Sequence, residues 1–316
     1  MWGYVNEADP YVMEMQIAAA ADHGVNVFIY DWYWYDRRPF LKNCLEEGFL
    51  KASNHDRMKF YVMWANHDAN MVWDRRNSQM DTVVWQGAVD ETEFHKIGRY
   101  WIENYFKLPC YYTIDGKPVV SIYDLANFVN GLGGMEKAKE AIDWLREEAV
   151  KAGLPGVHVQ IVKWGDLQLN LSGVDGSSLE IPQMEAAAKL SADSYTHYQY
   201  VHFANVNREY SEIMKDVEAE WEKLKSAPAP YYPHVSIGWD NNPRFFQYRP
   251  DAVKGNTPEA FKEALKLAKA YADANNDVPL ITINSWNEWT ETSYLEPDSK
   301  YGYGYLEAIK EVFKPE

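Results

Sequence analysis

Cysteine and long apolar runs are both scarce in this sequence. The 316 residues include only two cysteines, Cys44 and Cys110, too few for a disulfide framework or an all-cysteine zinc site. No apolar run approaches the roughly 20 residues that a membrane-spanning helix needs. We therefore expect a soluble chain with no membrane insertion. The abrupt start at residues 1–4 is compatible with removal of a leader or of a first structural element, so both cytoplasmic and exported locations stay open.

Positive charge is also in short supply. The chain has 31 Lys and Arg against 47 Asp and Glu, a net charge of −16, and its basic residues form nothing longer than short pairs such as Arg37-Arg38. Nucleic acids and anionic membranes both require a basic surface. The composition excludes them as expected partners and fits a neutral or cationic ligand.

Aromatic residues, by contrast, are abundant. They make up 15% of the chain, with 13 Trp and 23 Tyr, which is more than a core of this size requires. Aromatic rings stack on the apolar faces of sugars, while their O–H and N–H groups bond hydroxyls. A tyrosine-rich core would give the same count, so the excess favours a carbohydrate ligand only mildly.

The hydrophobic pattern alternates between short buried strands and amphipathic helices, which is typical of a parallel sheet covered by helices. Strands are predicted near residues 25, 60, 119, 157, 193, 234 and 279, and helices over 9–23, 39–52, 91–106, 135–152, 182–190, 207–226, 257–274 and 303–313. Nearly every strand ends in polar or aromatic residues, and no glycine-rich phosphate loop follows an early strand. These features favour a (β/α)8 TIM-type barrel over an open sheet, as a single domain spanning residues 1–316. Seven strands instead of eight indicate that the first strand lies upstream of Met1 or that the barrel is incomplete.

The residues that follow the strands are the candidates for substrate binding, because all strand C-termini of a barrel face one rim. They are Asp31, Trp32, Tyr33, Trp34, Trp64, Asn66, His67, Tyr123, Trp239, Asp240, Asn284, Trp286, Asn287 and Tyr294.

The strongest catalytic candidates are Glu288 and Glu291, which follow the last predicted strand. Hydrolysis of a glycosidic bond needs an acid for the departing oxygen and a second carboxylate. A spacing of three residues lets both side chains turn to the same side, and two nearby carboxylates shift each other's pKa. A metal site is not expected, since His67-Asp68 and Asp31 lack ligand spacing. Ser285 lies on no Gly-x-Ser-x-Gly elbow, which argues against an acyl-transfer serine.

Six segments together resemble the glycoside hydrolase family 99-like proteins, a group that includes WbsX-like chains and is similar to the endo-α-mannosidases. The segments are residues 21–35 (ADHGVNVFIYDWYWY), 63–68 (MWANHD), 114–119 (IDGKPV), 238–244 (GWDNNPR), 284–291 (NSWNEWTE) and 295–303 (LEPDSKYGY). They follow one another over nearly the whole chain. The resemblance implies a (β/α)8 barrel that acts on an oligo- or polysaccharide without metal or organic cofactor.

The resemblance also implies a division of roles. Family 99 enzymes are endo-acting and retaining, and use a neighbouring-group route. By motif, Glu288 would deprotonate the sugar's 2-hydroxyl, and Glu291 would be the acid/base at the glycosidic oxygen. Relatives usually begin with an aromatic-rich first strand that this sequence lacks.

Two other functions are compatible with the sequence. One is a glycosyltransferase in surface polysaccharide assembly, although no Asp-x-Asp motif stands at a strand end. The other is a carbohydrate-binding barrel that has lost turnover.

Overall fold

The structure is a computed structural model. A parallel sheet covered by helices forms its centre. The structure describes residues 2–71, 76, 82–172 and 177–314. In this part of the chain, seven strands run parallel: β1 (Val27–Tyr35), β2 (Lys59–Trp64), β3 (Lys117–Ile122), β4 (His158–Val162), β5 (Ser194–Thr196), β6 (His234–Ser236) and β7 (Thr282–Asn284). Each coincides with a predicted strand.

The strands pair in chain order. β1 to β5 form one continuous parallel ladder, and β6 pairs with β7. A parallel bridge between Tyr195 and Tyr231 joins the two groups. Among the described residues no ladder connects β7 back to β1. The fold is therefore a mixed α/β fold with a parallel central sheet. The C-terminal ends of its strands all lie at the same edge.

Helices alternate with these strands and cover the outer face of the sheet. Those described are α1 (Pro10–Asp22), α2 (Glu91–Trp101), α3 (Leu125–Leu132), α4 (Met135–Lys151), α5 (Gln183–Lys189), α6 (Tyr210–Leu224), α7 (Pro258–Asn275) and α8 (Gly304–Phe313). Asp9 caps α1 by accepting a bond from the Tyr11 N–H, and Gly24 follows the helix with φ +95°. In the described ranges, no helix is long and apolar enough to cross a membrane.

Residues 39–52 differ from the prediction of a helix. A tight turn at Asp36 and Arg37, both with positive φ, reverses the chain into an edge strand, Arg38–Phe40, antiparallel to β1. Two irregular turns follow, Cys44–Gly48 and Phe49–Lys51. The left-handed turn fixes the start of this segment, and a positive φ at Leu41 ends the strand before a regular helix can begin.

Short antiparallel strand pairs lie beside the sheet and at its rim. They are Ala69–Asn70 with Val83–Trp85, Thr113–Ile114 with β3, Gln168–Ser172 with Ser178–Pro182, and Asn287–Glu288 with Ser293–Tyr294. The last of these hairpins follows β7 and carries the candidate catalytic residues.

Candidate active site

The chain leaves β7 and folds at once into a compact hairpin. Its two arms are joined by a 3-10 turn, Trp289–Glu291, and by Thr292 in the left-handed conformation. The Ser285 hydroxyl donates to the Ser293 carbonyl at 2.6 Å and accepts from the Glu288 N–H at 3.1 Å. The hairpin therefore fixes the backbone of both glutamates at the rim of the sheet.

One arginine brings the two glutamates together. The Nη2 atom of Arg244 lies 2.9 Å from Oε1 of Glu288, and its Nη1 atom lies 2.9 Å from Oε1 of Glu291. Arg244 ends the 3-10 turn Asn242–Arg244 in the loop after β6. The structure thus places the predicted pair side by side, facing a cation from another strand's loop.

The two carboxylates differ in burial. The Glu291 side chain is 11% exposed and the Glu288 side chain is 28% exposed. Burial raises the pKa of Glu291 to about 7, against the lowering effect of Arg244 and with smaller raising effects from Glu288 and Asp31. Glu291 is therefore the member of the pair suited to exchange a proton near neutral pH.

A third carboxylate lies beside the pair. Asp31, in the middle of β1, accepts a 3.0 Å hydrogen bond from the Tyr198 hydroxyl. Burial raises the pKa of Asp31 to about 7, the Tyr198 bond opposes that rise, and the charge of Glu288 adds to it. A residue of β1 therefore meets residues that follow β5 and β7 at one point.

Aromatic rings surround these carboxylates. Tyr123 lies 5.2 Å from the Tyr198 ring and 5.6 Å from the His67 ring, and Tyr33 lies 6.0 Å from His67, measured between ring centroids. Burial raises the pKa of Tyr123 and Tyr198, so their hydroxyls stay neutral donors. Rings and hydroxyls in this arrangement suit the faces and edges of a sugar.

A cavity of about 640 Å³ opens beside the acids and extends down the inner side of the sheet. Six of the predicted site residues line it: Asp31, Tyr33, Asn284, Trp286, Asn287 and Glu288. The edges of β1 and β7 form two of its sides, with residues 27–31 and 282–284 in its lining.

Four predicted residues point away from this cavity into the core. Trp32 donates from Nε1 to the Tyr105 hydroxyl at 3.3 Å, and Trp34 donates to Glu93 at 3.2 Å. Side chains alternate along a strand, so Asp31 and Tyr33 face the cavity while these tryptophans face the helices. The other two are Trp64, which packs on Phe94, and Asn66, whose amide bonds both backbone groups of Asp124.

Three predicted residues, two of which also line the cavity, fasten the β7 hairpin to its surroundings. Trp286 donates from Nε1 to Gln16 at 3.0 Å, and the Asn287 amide donates to Glu7 at 2.9 Å. Tyr294 stacks on Trp289 with 3.8 Å between ring centroids and donates to Asp298 at 3.1 Å.

The remaining predicted residues are spread over the loops after β6 and β7. Asp240 accepts from the Asn242 N–H at 2.9 Å and shapes the loop that presents Arg244. Trp239 packs half-buried against the core. Asn284 accepts from the Gln199 amide at 3.0 Å, while its own Nδ2 atom is buried without a protein partner.

Sequence reasoning missed Arg244 and Tyr198 as site residues. Arg244 belongs to the segment 238–244 that carries part of the family resemblance, and that position was the available signal. Tyr198 follows a strand of only three residues, β5, whose sequence signal is weak. In the described ranges no group of three His, Cys, Asp or Glu side chains is placed to hold a metal ion.

The fold and this rim place the chain among proteins with the GH99-like glycoside hydrolase fold. The structure of the GH99 endo-α-mannosidase from Bacteroides thetaiotaomicron superimposes with a TM-score of 0.65 and 15% identity, covering 97% of this chain and 79% of that one. A structure named a glycoside hydrolase-like protein gives a TM-score of 0.67 and 17% identity, covering 99% and 88%.

The chain belongs to the family described as Glycosyltransferase WbsX, whose model matches residues 2–309. It is also similar to WxcX, named an uncharacterized protein, from Xanthomonas campestris pv. campestris strain B100. The identity is 23% over 321 residues, which cover 98% of this chain. The chain spans 42% of the length of that relative.

Proposed function

We propose that this protein is a retaining, endo-acting glycoside hydrolase that cleaves an α-mannoside-like glycan. The observation that carries the proposal is the pair Glu288 and Glu291, held side by side on one guanidinium but buried to different depths. The GH99-like fold and the WbsX family supply the carbohydrate context. The substrate class follows from the similarity to an endo-α-mannosidase structure.

The proposed reaction uses the sugar's own 2-hydroxyl. Glu288 takes the proton of that hydroxyl, and O2 attacks C1 as the bond from C1 to the glycosidic oxygen breaks. Glu291 gives its proton to the departing oxygen. Water, losing a proton to Glu291, then opens the 1,2-anhydro sugar at C1, and Glu288 returns its proton to O2. Neither glutamate attacks carbon, so a close pair on one hairpin is suited to this route.

We infer that the sugar lies against Asp31, Tyr33, His67 and Tyr123. Their rings and carboxylate surround the proposed acids from the ends of β1, β2 and β3. Trp239, Asp240, Asn284, Trp286, Asn287 and Tyr294 shape the neighbouring loops, while Trp32, Trp34, Trp64 and Asn66 support the rim from inside.

We also infer that the sheet is that of a (β/α)8 barrel, as the single domain predicted from the sequence. Residues 27–31 of β1 and 282–284 of β7 line the same cavity, and the eighth strand of a barrel would lie between these two strands.

The family description favours a second candidate, a glycosyltransferase that uses a sugar nucleotide. A third is a carbohydrate-binding barrel without turnover. Calorimetric titration with a panel of sugar nucleotides tests the transferase, which requires saturable binding of one of them.

A panel of α-mannans, incubated with the parent protein and with Glu288→Gln and Glu291→Gln, tests the hydrolase. We expect cleavage by the parent, and retained glycan binding without cleavage in both variants. Glu307→Gln, in an exposed part of α8, is the matched control and keeps full activity. Unchanged cleavage in both rim variants contradicts the proposal, and glycan binding without cleavage by the parent supports the third candidate.

A further inference from the structure

The loop between β6 and α7 supplies the only positive charge shown in contact with the two glutamates in the described part of the chain, that of Arg244. We propose that Arg244 is the positioning residue of this site: its guanidinium sets the spacing of Glu288 and Glu291 and supplies the positive charge that both carboxylates face. The inference rests on the proposed roles of the two glutamates, and it adds to them a residue from the loop after β6.

The spacing follows from the geometry of one planar group. The two terminal nitrogens of a guanidinium are about 2.3 Å apart, as the C–N bond length requires. Each lies 2.9 Å from a carboxylate oxygen, so those two oxygens are at most about 8 Å apart. The Nε atom donates to Thr290 at 2.8 Å, and the Thr290 hydroxyl in turn donates to Glu288 at 2.9 Å. Hydrogen bonds thus join Arg244, Thr290 and Glu288, and the ion pair with Arg244 adds Glu291 to the group.

The loop that carries Arg244 is itself fastened to the hairpin. The Asp240 N–H donates to the Glu291 carbonyl at 2.8 Å, and the Thr292 hydroxyl donates to the Asp240 carbonyl at 3.1 Å. Within the loop, the Asn242 side chain bonds both the N–H and the carbonyl of Arg249. Arg244 is therefore presented from a preorganised turn, as a positioning residue must be.

The charges around Glu291 explain why a cation is needed there. Burial and the carboxylates of Glu288 and Asp31 all raise the pKa of Glu291, and Arg244 is the group that lowers it. Among the described residues, the neutral hydroxyls of Tyr33, Tyr123 and Tyr198 also face the cluster. The imidazole rings of His67 and His202 pack against these tyrosines. Without the guanidinium, Glu291 holds its proton more tightly and becomes a weaker acid.

Carboxyl titration of the free protein tests this without any substrate. The protein is labelled with ¹³C at the glutamate carboxyl carbon and followed by NMR from pH 4 to 9, with Glu291→Gln to assign the signal. We expect a Glu291 midpoint near 7 in the parent. Arg244→Met raises that midpoint by about one unit or more. Arg244→Lys raises it by less, because the lysine ammonium keeps the positive charge but lacks the two terminal nitrogens of the planar guanidinium.

Arg249→Met is the matched control. Arg249 lies five positions further along the same loop, with its guanidinium over the Phe245 ring at 3.5 Å. Its backbone bonds to Asn242 survive the change, so the Glu291 midpoint stays at the parent value. A midpoint that stays or falls in both Arg244 variants overturns the proposal, as does an equal rise in Arg249→Met.

Kinetics on a cleaved glycan give a second readout. Arg244→Met lowers kcat by about 100-fold, the cost of a misplaced catalytic group, with a smaller effect on KM. In the Arg244→Met variant, the basic limb of the pH–rate profile moves to higher pH by the same amount as the titration midpoint of Glu291. A profile that does not move overturns the proposal. If the parent cleaves no glycan, the proposed hydrolase fails, while the titration still decides the role of Arg244.

Discussion

Tyr198 donates a 3.0 Å hydrogen bond to the carboxylate of Asp31, although 167 positions separate them in sequence. The bond links the loop after β5 to the middle of β1. It shows that the strand ends converge on a common point at the rim of the sheet. Three carboxylates, one arginine and a group of neutral tyrosines meet there.

The two glutamates are predicted to respond differently to the leaving group. A glycosyl fluoride needs no proton at its departing atom, so Glu291→Gln retains most of the parent rate on an α-mannosyl fluoride. The same variant loses about 10²- to 10⁴-fold on a natural glycan, the range of general acid catalysis. Glu288→Gln loses activity on both substrates. Rates from fluoride release and chromatography check this, and equal losses in Glu291→Gln on both substrates contradict the assignment of roles.

Stability is predicted to fall as the pH rises from about 4.5 to 7. The pKa of Glu291 is about 7 in the folded protein against 4.5 as its ordinary value, so folding takes up a proton between these limits. The stabilisation is complete below pH 4.5 and is lost as the pH passes 7, and amounts to at most about 3 kcal/mol. Asp31 and Glu296, whose pKa values are also about 7, act in the same direction.

Glu291→Gln removes the part of the pH dependence of stability that comes from Glu291. Urea unfolding at several pH values therefore shows a flatter profile, in which the variant gains stability relative to the parent as the pH rises. The exposed substitution Glu307→Gln leaves the slope unchanged. A Glu291→Gln profile parallel to that of the parent is inconsistent with the raised pKa.

Substitutions at the neighbouring residues Trp32 and Tyr33 are predicted to have different effects, the first on stability and the second on glycan binding. Trp32 is 2% exposed and packs on Trp101 at 5.4 Å, so Trp32→Ala costs about 3–5 kcal/mol of unfolding free energy. Tyr33 lines the cavity, and Tyr33→Ala weakens glycan binding by up to about tenfold. Denaturant unfolding and calorimetry measure the two effects. Unimpaired glycan binding by Tyr33→Ala excludes that ring from the sugar site.

The contrast between these neighbours shows what the sequence could and could not reveal. The apolar runs and caps predicted all seven strands and most helices, because buried strands and amphipathic helices leave a periodic signal. The aromatic run 31–35 indicated the rim, but the sequence predicted Trp32 and Trp34 as sugar contacts along with Asp31 and Tyr33. Alternation along β1 sends Trp32 and Trp34 into the core, a distinction that required knowing which face of the strand looks inward.

The sequence did not indicate which distant segments contact one another in the folded chain. Glu288 and Glu291 were identifiable because they lie three residues apart after a buried strand. Arg244 comes from a loop more than 40 positions earlier, and only the folded chain brings it to them. The edge strand Arg38–Phe40 and helix α3 were missed for a related reason, since short elements depend on turns and caps such as Asp124.

Lys163 also follows a strand but has a structural role. It is 3% exposed and lies 2.6 Å from buried Glu220 of α6. Lys163→Met removes the nearer cation and leaves Glu220 with the exposed Lys223 at 3.3 Å, so we expect a cost of about 1–3 kcal/mol. Lys137→Met, which breaks an exposed pair with Glu140 in α4, leaves stability nearly unchanged. Thermal and urea unfolding compare the two, and equal effects contradict the structural role.

The anomeric configuration of the released sugar tests the central claim most directly. The parent protein is mixed with an α-mannan oligosaccharide inside the NMR tube, and the new reducing end is observed before it mutarotates. The neighbouring-group route through Glu288 and Glu291 predicts that the α-anomer appears first, and that neither Glu288→Gln nor Glu291→Gln releases it. First appearance of the β-anomer, or undiminished release by either variant, would contradict the account.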